Sequence, residues 1–273
     1  MRRNRNFLLA IILTVILALP KVAVAGEGGE LSESKTDKLI QDAQNPIANL
    51  VSVPFQNNFN LGFGPKDDLQ YVMNLQPVMP IHLPEDWILI VRHILPIMSQ
   101  PWPLARGGIG DLTTETFVTT PQFGPYMFGI GPAIEFPTAS YEELGGGKFA
   151  AGPGLVAVYM KGKIMGGALL NNLWSFTGNP KRDDLSVMTF QPFVCYNLPK
   201  GWYLSSAPIM TANWYADKKD RWTLPLGGGL GKLVILDKMP VNITVQGLYN
   251  VIKPSYQADW DIRLNIQLLF PEK

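Results

Sequence analysis

The sequence predicts an all-β fold, a transmembrane antiparallel β-barrel of about twelve strands, from three observations: recurrent period-two alternation, an even number of alternating segments, and connections that are alternately short and long. The last segment shows the alternation best. Trp260, Ile262, Leu264, Ile266, Leu268 and Phe270 fall on one face of an extended chain, and Asp261, Arg263, Asn265, Gln267 and Leu269 on the other, because successive side chains of a strand point to opposite sides. Its length suits a tilted bilayer crossing, which takes roughly 9 to 11 residues per strand. A half-buried strand of a soluble sandwich alternates in the same way, so the count and the connections must decide.

From Val51 onward the alternation recurs to the end of the chain. Turn chemistry bounds twelve segments, near 51–63, 69–83, 87–98, 109–119, 126–137, 148–160, 164–176, 185–198, 202–214, 222–235, 241–251 and 259–270. An even count is what a single-chain barrel with both termini on one side requires. The connections at one end are mostly tight, as in Lys161-Gly162-Lys163 and Pro199-Lys200-Gly201. Those at the other end are longer, as in Ser99–Gly108, Thr138–Gly147 and Thr177–Asp184, with Gly64–Asp68 the short exception. Short periplasmic turns with longer outer loops are a barrel pattern that a sandwich has no need of.

The N-terminus carries Arg2, Arg3 and Arg5, an apolar run from Phe7 to Leu19, and the small-residue site Ala23-Val24-Ala25. This reads as a secretory signal over residues 1–25, cleaved after Ala25. The apolar run is too short for a spanning helix, which needs about 20 residues. Residues 26–50 form a polar periplasmic leader, with Asp42 to Leu50 expected to finish a short amphipathic helix, and residues 51–273 form the barrel. Without the signal the chain is slightly acidic, which argues against a nucleic-acid partner. The single cysteine, Cys195, closes no internal disulfide. The longest greasy stretch, Trp87 to Met98, is interrupted by Arg92 and His93, and no helical span is expected.

One feature resists the barrel. Pro54, Pro77, Pro80, Pro96, Pro132, Pro153, Pro192, Pro208 and Pro225 fall inside the expected strands, although proline donates nothing to a ladder. Bulged or kinked strands would reconcile them.

Taking the more polar face of each strand as inward gives an amide-rich lumen: Gln56, Asn58, Asn60, Gln70, Asn74, Gln76, Asn242 and Gln246, with Gln191, Asn213, Asn265 and Gln267. The inward charges are Arg92, Asp111, Glu115, Glu135, Asp261 and Arg263. A lipid-facing Arg near the midplane costs about 2 to 4 kcal/mol, which places Arg92 inward. His93 is then left outward without an obvious reason. Mixed signs on a neutral lining argue against strong ion selectivity and suit a small, largely uncharged solute; a salt-bridge network that stiffens a closed barrel is the structural alternative. Trp87, Trp174, Trp202, Trp214, Trp222 and Trp260 lie near segment ends, as interfacial girdles do.

Enzyme chemistry is not expected. The two histidines, His82 and His93, have no evident Ser partner, there is no Gly-x-Ser-x-Gly elbow, and no Cys or His spacing suits a metal. The triple glycines at 145–147 and 227–229 lack the Lys-Ser/Thr of a phosphate loop. No metal and no cofactor is therefore expected.

The stretches Asn45-Pro46-Ile47-Ala48-Asn49-Leu50 and Pro54-Phe55-Gln56-Asn57-Asn58-Phe59-Asn60 resemble the opening of bacterial outer-membrane proteins related to the meta-pathway phenol-degradation transporters, a family often labelled "neuromedin U". Leu75-Gln76-Pro77-Val78-Met79-Pro80, Gly131-Pro132, Gly152-Pro153, Asn172-Leu173-Trp174-Ser175-Phe176, Gln191-Pro192-Phe193 and Leu268-Leu269-Phe270-Pro271 extend the resemblance from Asn45 to the C-terminus. It implies an outer-membrane transport barrel of a Gram-negative bacterium, with hydrophobic or aromatic solutes in some relatives, and it supplies no catalytic residues. The expected function is passive diffusion of small, uncharged or hydrophobic solutes; a closed structural or surface-interaction barrel is the alternative. The expected partners are the outer-membrane bilayer, the small-molecule solute and the barrel-assembly machinery, for which Phe270 at the end of the last strand would be the assembly signal.

Overall fold

The computed structural model describes residues 33–237 and 239–271. The signal peptide and the leader as far as Ser32 lie outside the described residues. Helix α1 (Glu33–Gln44) precedes β1 (Val51–Phe63), β2 (Asp68–Leu75), β3 (Val78–His82), β4 (Ile88–Gln100), β5 (Arg106–Ile109), β6 (Leu112–Thr119), β7 (Tyr126–Phe136) and β8 (Lys148–Lys161). There follow β9 (Ile164–Gly178), β10 (Ser186–Asn197), β11 (Trp202–Ser206), β12 (Met210–Asn213), β13 (Trp222–Leu236), β14 (Met239–Ile252) and β15 (Trp260–Phe270).

Three staves are each split in two, β2/β3 at Gln76-Pro77, β5/β6 at Gly110-Asp111 and β11/β12 at Ala207–Ile209, so the strands form a closed antiparallel barrel of 12 staves. Neighbours in sequence are neighbours in the wall. The first and last staves pair from Val51↔Phe270 to Leu61↔Trp260, which closes the sheet on itself and leaves no free edge. The short turns, including Lys161 to Ile164 and the 3-10 turn Pro199–Gly201, lie at the end that holds Val51 and Phe270, here the terminal end. Longer loops crown the opposite, far end.

The prolines sit where the ladders lapse. Pairing of β6 with β7 skips Pro132, pairing of β8 with β9 skips Pro153, and both keep their register across the gap. Pro225 lies at a true bulge, where Leu224 pairs Ile252 but Pro225 pairs Asn250. Pro96 accepts from the Gly110 amide at 2.8 Å, where β4 passes from pairing β6 to pairing β5. Kinking by added residues is therefore the minority device. Most of these prolines occupy in-register gaps on one side of a strand, where the missing N–H removes only one bond.

The outer surface is apolar. Phe128, Ile130, Leu155, Leu170, Val194, Leu204, Leu226, Leu230 and Val251 all stand exposed on it. Aromatic pairs mark its ends, Trp214 with Trp222 and Tyr249 with Trp260 at the far end, and Tyr126 with Tyr159 at the terminal end. Phe270 projects exposed at the terminal end of β15. His93 lies on β4 opposite Thr114, and its Nδ1 is 2.9 Å from the Thr114 hydroxyl. That cross-strand pair gives an outward imidazole a polar partner.

Helix α1 departs from the expected Asp42–Leu50 segment: it ends at Gln44. Pro46 is the physical reason, since the residue before a proline is pushed out of the helical region. Asn45 turns the chain instead, its side-chain oxygen accepting from the Ile47 amide at 3.0 Å. Ile47, Ala48 and Leu50 then run buried toward β1.

Candidate functional site

The site is the barrel interior, and its terminal end is occupied by the chain's own helix. Leu39, Ile40 and Ala43 of α1, with Ile47, Ala48 and Leu50, form one buried cluster with Ile90, Phe117, Val156, Val158, Met165 and Leu169 of the inner wall. At about 25 cal/mol per Å2 of apolar surface removed from water, each fully buried Leu or Ile contributes roughly 1.5 to 3 kcal/mol to holding the helix there. Polar contacts fix its register. Gln41 donates to the Gly162 carbonyl at 3.2 Å, and Gln44 donates to the Asn197 side-chain oxygen at 2.8 Å. The rule that the polar face points inward thus fails on β7, β8 and β9, because the helix gives that part of the wall an apolar partner.

Asp42 titrates with this docking. Burial raises its carboxyl above the ordinary 3.8, and Lys38 pulls it part of the way back. A raised pKa in the docked state means docking is strongest below 3.8 and weakens as the pH climbs from there through the docked value. The helix should be easier to displace at neutral pH than in acid. Asp42→Asn should remove that dependence and tighten docking at neutral pH; hydrogen exchange of the α1 amides against pH checks it, and an unchanged profile would count against it.

Above the helix lies a chamber of about 160 Å3, lined by Gln44 and Pro46, by the wall amides Gln56, Gln191, Asn242, Gln246, Asn265 and Gln267, and by Arg92 and Arg263. For scale, an engineered cavity of about 150 Å3 holds benzene. Leu169, Phe193 and Cys195 give the chamber an apolar flank, and Tyr203, Ser205 and Thr244 give it hydroxyls. The side-chain oxygens of Gln44 and Asn265 are buried without a hydrogen-bond partner.

The two arginines are already committed. Arg263 donates Nε to Asn58 at 2.9 Å, Nη1 to the Ala207 carbonyl at 2.9 Å and Nη2 to Asp261 at 2.8 Å. Arg92 donates to Gln76 at 2.9 Å and lies 3.5 Å from Glu115, whose other oxygen accepts from Asn171 at 2.8 Å. Each charge is neutralised locally, so the chamber presents dipoles to a solute and no strong field of one sign.

The other sequence-identified residues divide by level. Asn242 accepts from the Tyr203 hydroxyl at 2.7 Å and donates to Gln267 at 3.1 Å, and Gln246 donates to Ser205 at 2.6 Å, all beside the chamber. Asn74 stands opposite Gln56 in the register. Nearer the far end, Asn60 donates to Gln70 at 2.9 Å, Gln70 to Gln100 at 2.8 Å, and Gln100 to the Glu143 carbonyl at 3.0 Å, an amide relay that reaches the loops. Asp111 is a loop anchor. Its two oxygens accept the Ala139 and Gly146 amides at 3.0 and 2.6 Å, which folds the Pro137–Gly147 loop against the mouth. Glu135 lies two positions along the inner face from buried Ala133, outside the chamber lining. A vestibule of about 450 Å3, lined by Asp111, Tyr141, Glu142, Glu143 and Arg182, opens there.

Sequence reasoning missed Tyr203, Asn171 and Lys148. Tyr203 fills the interior next to Gly231, where an added Cβ would run into its ring. Lys148 is buried and donates to Asp184 of the 179–185 loop at 2.9 Å, which holds that carboxyl below its ordinary value. An inward Lys at a strand start, facing an acidic loop, was a readable signal.

No protein-family model and no curated protein matches the sequence. Solved structures do. An outer-membrane channel of Pseudomonas putida F1 superposes with a TM-score of 0.61 at 15% identity, over 81% of this chain and 94% of that one. The fold is that of an outer-membrane β-barrel. The NanC porin superposes with a TM-score of 0.53 at 10% identity, over 81% of this chain and 100% of the porin. One expectation needs correction here. Among the similar solved structures is an outer-membrane phospholipase A from Escherichia coli, with a TM-score of 0.39 at 12% identity over 89% of this chain and 99% of that one. The expected absence of enzyme activity is withdrawn, because it argued from missing motifs, and a barrel fold is compatible with either role.

Proposed function

We propose that this chain is an outer-membrane channel that passes small, largely uncharged solutes by passive diffusion, with α1 governing the periplasmic exit. The carrying observation is the 160 Å3 chamber beside α1, lined by wall amides and locally neutralised arginines. In this reading the terminal end faces the periplasm, the N-terminal signal directs export, and the barrel-assembly machinery engages the last strand through Phe270. The channel and the porin that share the fold support the same direction. Neutral amides exchange one solute hydrogen bond for another at small net cost, so uncharged solutes pass without a deep trap. Hydrophobic and aromatic molecules of benzene size fit the apolar flank at Leu169 and Phe193. The helix in the barrel also favours one competing reading, a closed structural barrel.

Liposome swelling with the purified protein separates the two. Entry of small neutral solutes faster than of charged ones of equal size is the expected result. Liposomes that admit none of them, with no conductance in planar bilayers, would leave the closed barrel standing.

A further inference from the structure

We propose that Lys232, Trp202 and Lys200 form a site on the outside of the barrel for the headgroup of a phospholipid with net negative charge, in the leaflet that surrounds the terminal end. The proposal rests on the outer-membrane reading, in which that end faces the periplasm, and is independent of whether the lumen conducts.

The outer wall is apolar, and a lysine stands on it. β13 pairs Lys232 with Trp202 of β11 on one side and with Ile243 of β14 on the other. The residues before and after it, Gly231 and Leu233, pair with Tyr203 and Asn242, which line the chamber, so the period of two turns Lys232 outward. A lysine on the lipid face of a barrel is costly at mid-depth and tolerated near an interface, where its stem lies along apolar surface and the ammonium reaches the headgroups. Trp202 marks that interface. It is the first residue of β11, directly after the turn Pro199–Gly201, and Lys232 Nζ lies 4.8 Å from the centroid of its ring. Attraction to the ring face positions the ammonium and leaves it N–H donors for an anion.

Charge of the opposite sign is missing here. Among the described residues the ion pairs are those of Arg92 and Arg263 inside the barrel and those of Arg106, Lys148, Arg182, Lys219 and Lys253 at the far end. Lys200 and Lys232 belong to none of them, and neither do Lys161 and Lys163 of the neighbouring terminal turn. The turns Lys161-Gly162-Lys163 and Leu198-Pro199-Lys200-Gly201 contain no acidic residue. This arc of the terminal rim therefore presents uncompensated positive charge. The backbone of Lys200 points the same way: its φ of 60° and ψ of 35° are left-handed, a conformation that Gly or Asn adopts at lower cost, so the turn carries its cation against local preference.

The surroundings select a lipid over a soluble anion. Leu204 and Leu230 pair with each other two positions further from the terminal end, on the same face as Trp202 and Lys232, and both stand exposed. They offer apolar surface to acyl chains directly beside the cationic pair. The indole N–H of Trp202 is a further donor, at the level where lipid ester carbonyls lie. A headgroup whose phosphate carries no cation of its own gains the full attraction of both lysines, whereas a zwitterionic headgroup brings a positive charge that offsets much of it. The ligand class is therefore an anionic phospholipid.

Native mass spectrometry supplies the test. The full-length protein in dodecyl maltoside micelles is titrated with phosphatidylglycerol and, separately, with phosphatidylcholine of the same chains, and the lipid retained by each barrel is counted. Each lysine near an anionic surface supplies about a fivefold preference, so the wild type should hold one phosphatidylglycerol about thirtyfold more tightly than phosphatidylcholine. Lys232→Met with Lys200→Asn should bring the two lipids to nearly equal affinity. Methionine suits the lipid face and asparagine the left-handed turn, and Lys232→Arg, which keeps the charge and the stacking, should keep the preference. Lys66→Met, in the far-end turn between β1 and β2, should leave it unchanged. Equal retention of both lipids by the wild type, an undiminished preference in the double variant, or an equal loss in Lys66→Met would overturn the site. Displacement of the bound lipid by excess glycerol 1-phosphate would overturn the lipid as the ligand in favour of free phosphate. None of these results bears on the channel, which liposome swelling tests separately.

Discussion

Replacing Leu39 and Ile40 together with Asp is expected to produce the largest functional change, a rise in time-averaged conductance for small ions and neutral solutes. Both side chains are buried among wall residues, at 8% and 2% exposure. Their lost burial alone is worth roughly 3 to 6 kcal/mol, about a hundredfold or more in the ratio of docked to displaced helix. Two carboxylates placed within this apolar cluster add a desolvation penalty. The barrel itself should fold as before, since no strand pairing involves these positions. Single-channel recording on the variant is the check, and an unchanged open fraction would mean that α1 does not obstruct the path.

The largest stability effect is expected from Arg263→Ala. The guanidinium bridges three elements, Asn58 on β1, Asp261 on β15 and the Ala207 carbonyl in the break between β11 and β12. Its removal leaves the Asp261 carboxylate, one of whose oxygens is already unpartnered, buried against the closing seam of the barrel. Breaking a buried ion pair from one side typically costs about 3 to 5 kcal/mol, whereas replacing both partners with apolar groups of similar volume is often neutral. Arg263→Met with Asp261→Leu should therefore recover most of what Arg263→Ala loses. Urea unfolding in lipid vesicles would measure both. Equal destabilisation by the single and double changes would show that the ion pair, and not the stranded charge, carries the effect.

The wall was legible because a barrel repeats one simple rule: each stave must offer a continuous apolar row to the outside. Trp260 to Phe270 obeys that rule residue by residue, and it pairs with β1 along its whole length. The interior obeys a looser one. Inward residues may be polar toward water or apolar toward a plug, and Val156, Val158, Met165 and Leu169 belong to the second kind. A sign of this was present in Leu155-Val156-Ala157-Val158, where both faces of one strand are apolar. Two apolar faces require two apolar neighbours, of which the exterior supplies one. What the sequence could not convey was that the second neighbour was its own leader. The committed state of Arg92 and Arg263 was hidden for a similar reason, since Gln76, Ala207 and Asn171, which help to hold their clusters, lie far from them along the chain.

The prolines also gain a physical meaning. Scattered singly, as at Pro132 and Pro153, they cost one ladder bond each and leave the wall in register. Gathered from three staves at Pro192, Pro208 and Pro225, they leave a segment that side chains alone secure. The difference lies in where the sheet brings them together, which period-two patterning does not reveal.

The central claim is that a solute path runs through this barrel and is closed at its terminal end by α1. A cross-link between Gln44→Cys and Asn197→Cys by a short bis-methanethiosulfonate, which spans the reach of the native side chains that meet at 2.8 Å, placed in a Cys195→Ser background, tests it directly. With the cross-linker the helix is tethered, and conductance in a planar bilayer should fall to the closed level; added reductant cleaves the mixed disulfides and should restore it within the same recording. Conductance that is indifferent to the state of the cross-link would contradict the account.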